Sequence, residues 1–285
     1  MNTPARLDRL SALLQGLAPQ FEVACATGDA AVQPDAPADQ VLLLYLLTAG
    51  SASVAAPGRE VQVVAGPAVV VCRPQPQTVV EALDAAAQAG LACIRAHFSG
   101  PVGPLLLEEF GSALTVPLGQ GDGALQQIVQ LIAAEIAAPR CGQPLLLERA
   151  GDILFIGLLR HLIAHPRTDG GLFSGLADVR IARALVAMHA APERGWTLER
   201  LAEEAGMSRT AFANRFRDLL HCPPGAYLNR LRLAIARRAI EAGTGLKRAA
   251  ALSGYSGAAT LSRALAQAAR RAGPQAPPLS SASLA

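Results

Sequence analysis

Between positions 209 and 220, Phe212, Phe216, Leu219 and Leu220 recur at the spacing of a helix with one buried stripe. That leaves Arg209, Thr210, Ala213, Asn214 and Arg217 for its other faces. The chemistry of those exposed groups suits nucleic acid. A guanidinium grips a phosphate or the O6/N7 edge of guanine with two hydrogen bonds, and a side-chain amide does the same for the N6/N7 edge of adenine. Such a helix reads bases only if something holds it at a fixed angle, and the upstream residues have the pattern for it. Thr197 stands where a helix N-cap is wanted, Leu198, Leu201 and Ala205 make a short apolar stripe, and Glu199 suits the positive end of the dipole. Gly206 then ends that helix in the conformation glycine takes most readily, and Ser208 caps the next. Two short helices across a glycine turn form a DNA-reading geometry with the second helix in the major groove.

Any small helical bundle contains such turns, so the charge distribution has to decide. Residues 178–285 hold sixteen Lys plus Arg against seven Asp plus Glu, a net of +9, whereas residues 1–177 hold nine against fifteen, a net of −6. The overall +3 conceals two oppositely charged halves, and the basic one attracts a phosphate backbone whatever its sequence. Lys247 is the only lysine among the 25 basic residues, so the basic face is almost wholly guanidinium. After Pro223-Pro224 a long helix is expected from about Gly225, carrying Arg230, Arg232, Arg237 and Arg238 beside an apolar stripe. A second unit follows, with a short helix over 246–252, a turn at Gly254, and a helix from about Gly257 to Arg270.

These residues resemble the AraC family of bacterial transcription regulators over roughly 178–274. The family's A-x-x-x-G-M-S-x-x-x-F-x-x-x-F run is matched by Ala202, Gly206, Met207, Ser208, Phe212 and Phe216, and its P-x-x-Y-L segment by Pro224, Tyr227 and Leu228. The resemblance implies that Arg209, Thr210, Ala213 and Asn214 face bases from the first unit, and Thr260, Ser262 and Arg263 from the second. Phosphate contacts are expected from Arg217, Arg230, Arg232 and Arg248. The chain departs from the family at Leu261 and Leu265, where aromatics are usual, and at Ala269-Arg270, where the family has an F-G pair. The second unit is therefore expected to pack loosely and to hold backbone more than read bases.

Ahead of the reader, runs at 41–48, 61–65, 68–72, 77–80 and 91–98 are β-branched and apolar, with Gly and Pro between them, the pattern of a small antiparallel barrel or sandwich. Beside an AraC-like reader this resembles the cupin-type sensing domain of that family, and "DRLSALLQGL" near the start and "DVRIARALVAMHAAPERGWTLE" at the junction extend the likeness. A cupin metalloenzyme is the alternative reading. It needs clustered His and carboxylate ligands, and no histidine precedes His97. His161 and His165, at i and i+4, share a helix face without a third ligand nearby in sequence, and His189 reads as a packed or capping residue. No metal site and no cofactor are expected.

Two helices follow the strands, one with a stripe of Leu125, Ile128, Val129, Ile132 and Ile136, the other apolar on nearly every side from Pro144 to His165. A helix of the second kind needs burial all round, which a homodimer interface supplies. Cys25, Cys72 and Cys93 fall in the strand region, with Arg73 and Arg95 next to or near two of them, so a thiol switch favoured by neighbouring cations stands beside a small-molecule effector as the sensed signal. Phe21, Tyr45 and Phe98 are the main aromatic candidates to line an effector site. No apolar stretch approaches a membrane span, no signal-peptide core follows Met1–Arg9, and the cysteine number is odd, so a cytoplasmic protein is expected.

The fold expected is thus α+β: a cupin-like antiparallel barrel or sandwich over 1–120, a helical dimerisation region over 121–177, an all-α double helix-turn-helix over 178–274, and a disordered tail over 275–285. The function expected is a sequence-specific regulator binding double-stranded DNA, with a possible effector in the barrel and no membrane partner.

Overall fold

The computed structural model describes residues 8–26, 40–56, 58–75, 78–118, 123–166 and 170–272. The tail expected to be disordered lies outside them. The chain divides into two compact units, one of residues 17–99 and 106–165, the other of 1–16, 100–105 and 166–285. Both helices of the expected dimerisation region therefore group with the strands, whereas residues 166–177 and the N-terminal segment group with the reader.

The chain enters through α1 (Ser11–Leu17) and continues into β1 (Pro19–Ala26). The strands β2 (Val41–Leu47), β3 (Ser51–Ala55), β4 (Gln62–Ala65), β5 (Ala68–Cys72), β6 (Val79–Ala82), β7 (Leu91–Phe98) and β8 (Leu114–Pro117) form two antiparallel sheets, ordered β1-β7-β2-β5-β8 and β4-β3-β6. Short helices α2 (Ala85–Gly90) and α3 (Gly103–Glu108) flank β7. Strand β2 is buried at every residue because both faces of the large sheet are covered. Its odd-numbered side chains, Val41, Leu43, Tyr45 and Leu47, meet Ala52, Val54, Val64 and Val80 of the small sheet in one core, with Val70, Cys72 and Cys93 of the neighbouring strands. β1, β3 and β8 carry no long apolar run, and the sequence reading did not include them.

The other face of the large sheet is covered by helix. α4 (Gly123–Ala137) and α5 (Gln143–Ala164) pack together, and Phe155 of α5 lies 5.7 Å from the ring of Phe21 on β1 and 5.4 Å from that of Phe98 on β7. Gly151 permits this approach, since a Cβ there would lie 2.5 Å from Phe21 Cβ. α5 is not buried all round: Leu145 and Ile153, with Leu131 of α4, stand exposed at 59%, 54% and 47%.

The second unit is helical. α6 (Leu172–Ala177) leads into α7 (Val179–Ala190), α8 (Leu198–Ala205), α9 (Arg209–Leu220), α10 (Pro224–Glu241), α11 (Leu246–Leu252) and α12 (Ala258–Ala272). Arg9, just before α1, donates from Nη1 to the carbonyls of Leu176 (2.9 Å) and Ala177 (3.2 Å), which fastens the N-terminal segment to the end of α6.

Candidate nucleic-acid interface

The first pair of short helices is built as its capping residues require. Thr197 accepts from the N–H of Arg200, Gly206 turns the chain at φ 63°, and Ser208 accepts from the N–H of Ala211. Phe212 and Phe216 are wholly buried, their rings 5.6 Å apart, and Phe216 meets Tyr227 of α10 edge-on at 5.9 Å. The opposite side of α9 presents Arg209, Thr210, Asn214 and Arg217 to solvent, with Ala213 partly covered among them. Arg209 Nη1 donates to Glu199 Oε1 on α8 at 2.6 Å, and that hydrogen bond holds the Glu199 carboxyl below its ordinary pKa.

Contacts distant in sequence fix the angle of α9. Asp178 caps α7 by accepting from the N–H groups of Arg180 and Ile181, and its other oxygen accepts from Arg215 Nε of α9 at 2.9 Å. The residue is part-buried; burial alone would raise its pKa, but the hydrogen bonds to those N–H groups and to Arg215 bring the carboxyl below its usual value. Gly171 N–H donates to the Leu219 carbonyl at the end of α9 (2.8 Å). Sequence reasoning missed Arg215 and Asp178, since their partnership spans 37 residues.

Arg232, read from sequence as a phosphate contact, has its guanidinium on backbone: Nε donates to Pro192 O and Nη2 to Arg194 O, each at 2.8 Å. The same turn is held by Trp196 Nε1 on Ala191 O (2.8 Å) and by Arg200 Nη1 on Gly195 O (2.9 Å). Gly254, the turn of the second unit at φ 76°, approaches it so closely that a Cβ would lie 2.7 Å from Glu193 Cα. Arg217, Arg230 and Arg248 all stand exposed, and partial desolvation pulls the pKa of Arg230 down.

In the second unit, Leu261 is wholly buried and Leu265 nearly so, against Leu233, Ala236, Ala249 and Ala250. The loose packing expected from the missing aromatics is not what the structure has, because alanines that bury completely bring the helices close enough for leucine to fill the gap. Ser262 and Arg263 lie on the exposed side of α12, Arg263 Nε donating to Ala259 O at 3.3 Å, and Thr260 Oγ1 is 3.1 Å from Ser256 Oγ.

A family model described as a helix-turn-helix domain matches residues 201–271, and one described as cupin matches residues 8–164. The chain belongs to the cupin family, with an AraC-type helix-turn-helix domain on its C-terminal side. Among similar proteins, the HTH-type transcriptional regulator AlkR of Acinetobacter baylyi is 32% identical over 147 residues, 50% of this chain and 48% of its own. A Streptomyces antibioticus protein, named as an AraC-like transcription regulator, is 32% identical over 161 residues, 55% of this chain and 53% of its own. The chain thus spans about half the length of the curated relatives it matches. A solved structure of ToxT from Vibrio cholerae aligns over 86% of this chain and 92% of its own at 10% identity with a TM-score of 0.36, a likeness too slight to position any side chain.

Cys72 and Cys93 differ from the expectation of an activated thiol, since both are buried. Cys72 lies in the core, where burial pushes its pKa up to about 12, so the neighbouring Arg73 does not make it a thiolate and its place as a sensing residue falls. Cys93 is buried in the same core, and the backbone of Cys25 on β1 is directly opposite it. Cys141, which the sequence reading passed over, is exposed. His161 and His165 stack with ring centroids 4.4 Å apart, and His189 is a packed residue whose Nε2 lies 2.7 Å from Tyr227 Oη. Among the described residues no three His, Cys, Asp or Glu side chains gather closely enough to hold a metal ion, and no helix is long and apolar enough to cross a membrane.

Proposed function

We propose that this chain is a sequence-specific regulator of transcription that binds double-stranded DNA in the cytoplasm as a homodimer, its AraC-type reader biased by the state of the cupin domain. The observation that carries the reading is α9: a helix fixed at its N-terminus by Gly206 and Ser208 and at its flank by Asp178, with Arg209, Thr210, Asn214 and Arg217 exposed along it. Thr210 and Asn214 are the base readers in this proposal, with Arg209 released from Glu199 to the DNA and Ala213 in close contact. Arg217, Arg230 and Arg248 hold phosphates, and Ser262, Arg263 and Thr260 give the second unit a lesser share of readout. Exposed Leu131, Leu145 and Ile153 on the helical hairpin support the dimer, whose test is sedimentation at micromolar concentration.

Footprinting the purified protein on genomic fragments tests the reading. Discrete sites sharing a motif are expected, and Asn214→Ala should relax preference at one base pair by ~1–3 kcal/mol while sparing affinity for random DNA. Equal losses on specific and random DNA contradict the assignment. A second reading of the input, oxidation of thiols, is favoured by one observation, the cross-strand register of Cys25 and Cys93. It requires that a response to oxidant vanish in both Cys25→Ser and Cys93→Ser.

A further inference from the structure

The outermost strand of a sheet presents a row of unpaired N–H and C=O groups on which a further strand can build. Among the described residues, the edges of the large sheet are β1 and β8 and those of the small sheet β4 and β6. All but one carry a group that opposes such pairing. β1 begins at Pro19 and carries Glu22, 60% exposed at its side chain, β8 ends at Pro117, and β6 carries the exposed Glu81. β4, Gln62-Val63-Val64-Ala65, has neither charge nor proline, and Val63 and the preceding Val61 stand 68% and 62% exposed.

The direction of the free groups follows from the pairing with β3. Ser51, Ala52, Ser53 and Val54 stand opposite Ala65, Val64, Val63 and Gln62, and Gly66 N–H donates to Gly50 O at 2.8 Å. Antiparallel pairs alternate between exchanging both backbone bonds and exchanging none, so Gly66, Val64 and Gln62 bond to β3 while the N–H and C=O of Val61, Val63 and Ala65 point outward. The far side of β3 agrees, since Ser51, opposite Ala65, gives its carbonyl to the N–H of Leu83 (2.8 Å). Val61, Val63 and Ala65 also set their side chains on the face away from Val64, which lies in the core. The free edge and the uncovered apolar face thus belong to the same residues, and a second β4 satisfies both. Run antiparallel about Gln62, Val61 of each copy meets Val63 of the other, each pair exchanges its backbone bonds, and the valines cover one another on the outer face. From Val61 to Cys72 no residue is charged, so the paired segments bring no like charges together. A contact this short buries less than the ~1,200–2,000 Å² of a stable interface, so it forms reversibly as concentration rises.

We propose that β4 is a docking edge for a second copy of this chain, two molecules joining their small sheets into one through antiparallel β4 strands paired about Gln62. The contact is separate from the exposed Leu131, Leu145 and Ile153 of the helical hairpin and does not depend on the function proposed above. A molecule that meets one neighbour through the hairpin and another through β4 builds assemblies larger than a dimer, because each contact is two-fold and the two use different surfaces.

The experiment is disulfide trapping on the full-length protein, with Cys141→Ser as background to remove an exposed native thiol. In the proposed register the two Gln62 residues face each other as a non-bonded pair with Cα atoms about 4.5 Å apart, a separation that a disulfide spans. Gln62→Cys under mild oxidation is expected to give a covalent dimer. Arg59→Cys, whose two copies lie about 20 Å apart in the same register, is not. Sedimentation equilibrium supplies the second readout: Val63→Lys, at an exposed position whose backbone groups take no part in the β3 ladder, should raise the dissociation constant of the contact roughly tenfold or more. Val61→Lys repeats that test if Val63→Lys does not fold. Trapping of Gln62→Cys should persist in Ile153→Lys, which alters the hairpin instead. A Gln62→Cys protein that stays uncrosslinked, the result if this edge serves a strand of some other protein, overturns the proposal, as does equal trapping of Arg59→Cys. The two interfaces fail separately. Association lost in Ile153→Lys but indifferent to Val63→Lys leaves only the hairpin and overturns the β4 contact, whereas association sensitive to Val63→Lys and untouched by Ile153→Lys leaves only β4.

Discussion

Replacing Arg232 by alanine separates two roles an arginine on the connector helix can have. If its guanidinium lies on phosphate, the variant loses affinity and salt dependence together. If it is structural, as its bonds to Pro192 O and Arg194 O indicate, the variant loses stability instead. Hydrogen bonds to a charged donor contribute ~1.5–3 kcal/mol each when enclosed, and the part-exposed position roughly halves that, which gives about 2 kcal/mol for the pair. For a reader of about a hundred residues this is a fall in Tm of roughly 8–12 °C. Because Gly254 packs against the same turn, loosening it also frees α12 to shift relative to α9. Affinity for a full site should therefore fall more than affinity for a site trimmed to the first unit's bases. Calorimetry and fluorescence anisotropy over a series of salt concentrations read both quantities. Arg217→Ala is the contrast: stability unchanged, and the slope of log K against log salt smaller by about 0.9. A slope reduced by that amount in Arg232→Ala, with Tm unmoved, would refute the structural role.

Three further outcomes follow from burial. Iodoacetamide at neutral pH should label Cys141 in the folded protein and leave Cys72 untouched until unfolding, because burial holds the Cys72 thiol near 12; native-state labelling of Cys72 at a similar rate contradicts this. Gly151→Ala should cost ~1–3 kcal/mol by forcing α5 away from Phe21, and a wild-type melting curve would show that the contact yields freely. His189, enclosed with Nδ1 unpartnered, has its pKa lowered by burial from 6.5 to about 4. Its folded value lies below its unfolded one, so its contribution is constant above pH 6.5 and stability falls as the pH drops through the window, by ~2 kcal/mol at pH 5. Denaturant melts of wild type and His189→Gln at pH 7 and pH 5 should differ in that sensitivity; equal sensitivity excludes His189 as its source.

The reader was legible because its signals are local. Thr197, Gly206, Ser208 and Gly254 state where helices start and turn, and the apolar period states which side is inside. The roles of Arg215 and Arg232 were not legible, because their partners lie 37 and 40 residues away and an arginine on a basic helix looks alike whether it faces DNA or a carbonyl. In the cupin domain the buried strands β2, β5 and β7 were visible as apolar runs, but β3, Ser-Ala-Ser-Val-Ala, alternates only between small side chains and carries almost no hydrophobic signal. α5 reads as apolar all round, yet one flank faces β1 and α4 while Leu145 and Ile153 stay outside. No periodicity distinguishes a flank that meets its own chain from one that meets a second copy.

How the state of the cupin domain could reach the DNA is written in the chain's continuity. The β1–β7 ladder closes at Pro19 opposite Phe98. Beyond that rung both strands continue into segments that belong to the reader's unit, 8–16 before β1 and 100–105 after β7, and Val102 N–H donates to Gly16 O at 2.9 Å to tie the two together. From there Arg9 holds the carbonyls of Leu176 and Ala177, and the next residue, Asp178, holds Arg215 of the reading helix. In the function proposed above, the cupin domain shifts the reader only by as much as the free energy of its state differs between two reader arrangements. Arg9 lies outside the reading helix, so Arg9→Ala should leave affinity for random DNA near wild type, yet change operator affinity in the full-length protein, both read by fluorescence anisotropy. Operator affinity unchanged in Arg9→Ala would show that the bias does not pass through the N-terminal segment.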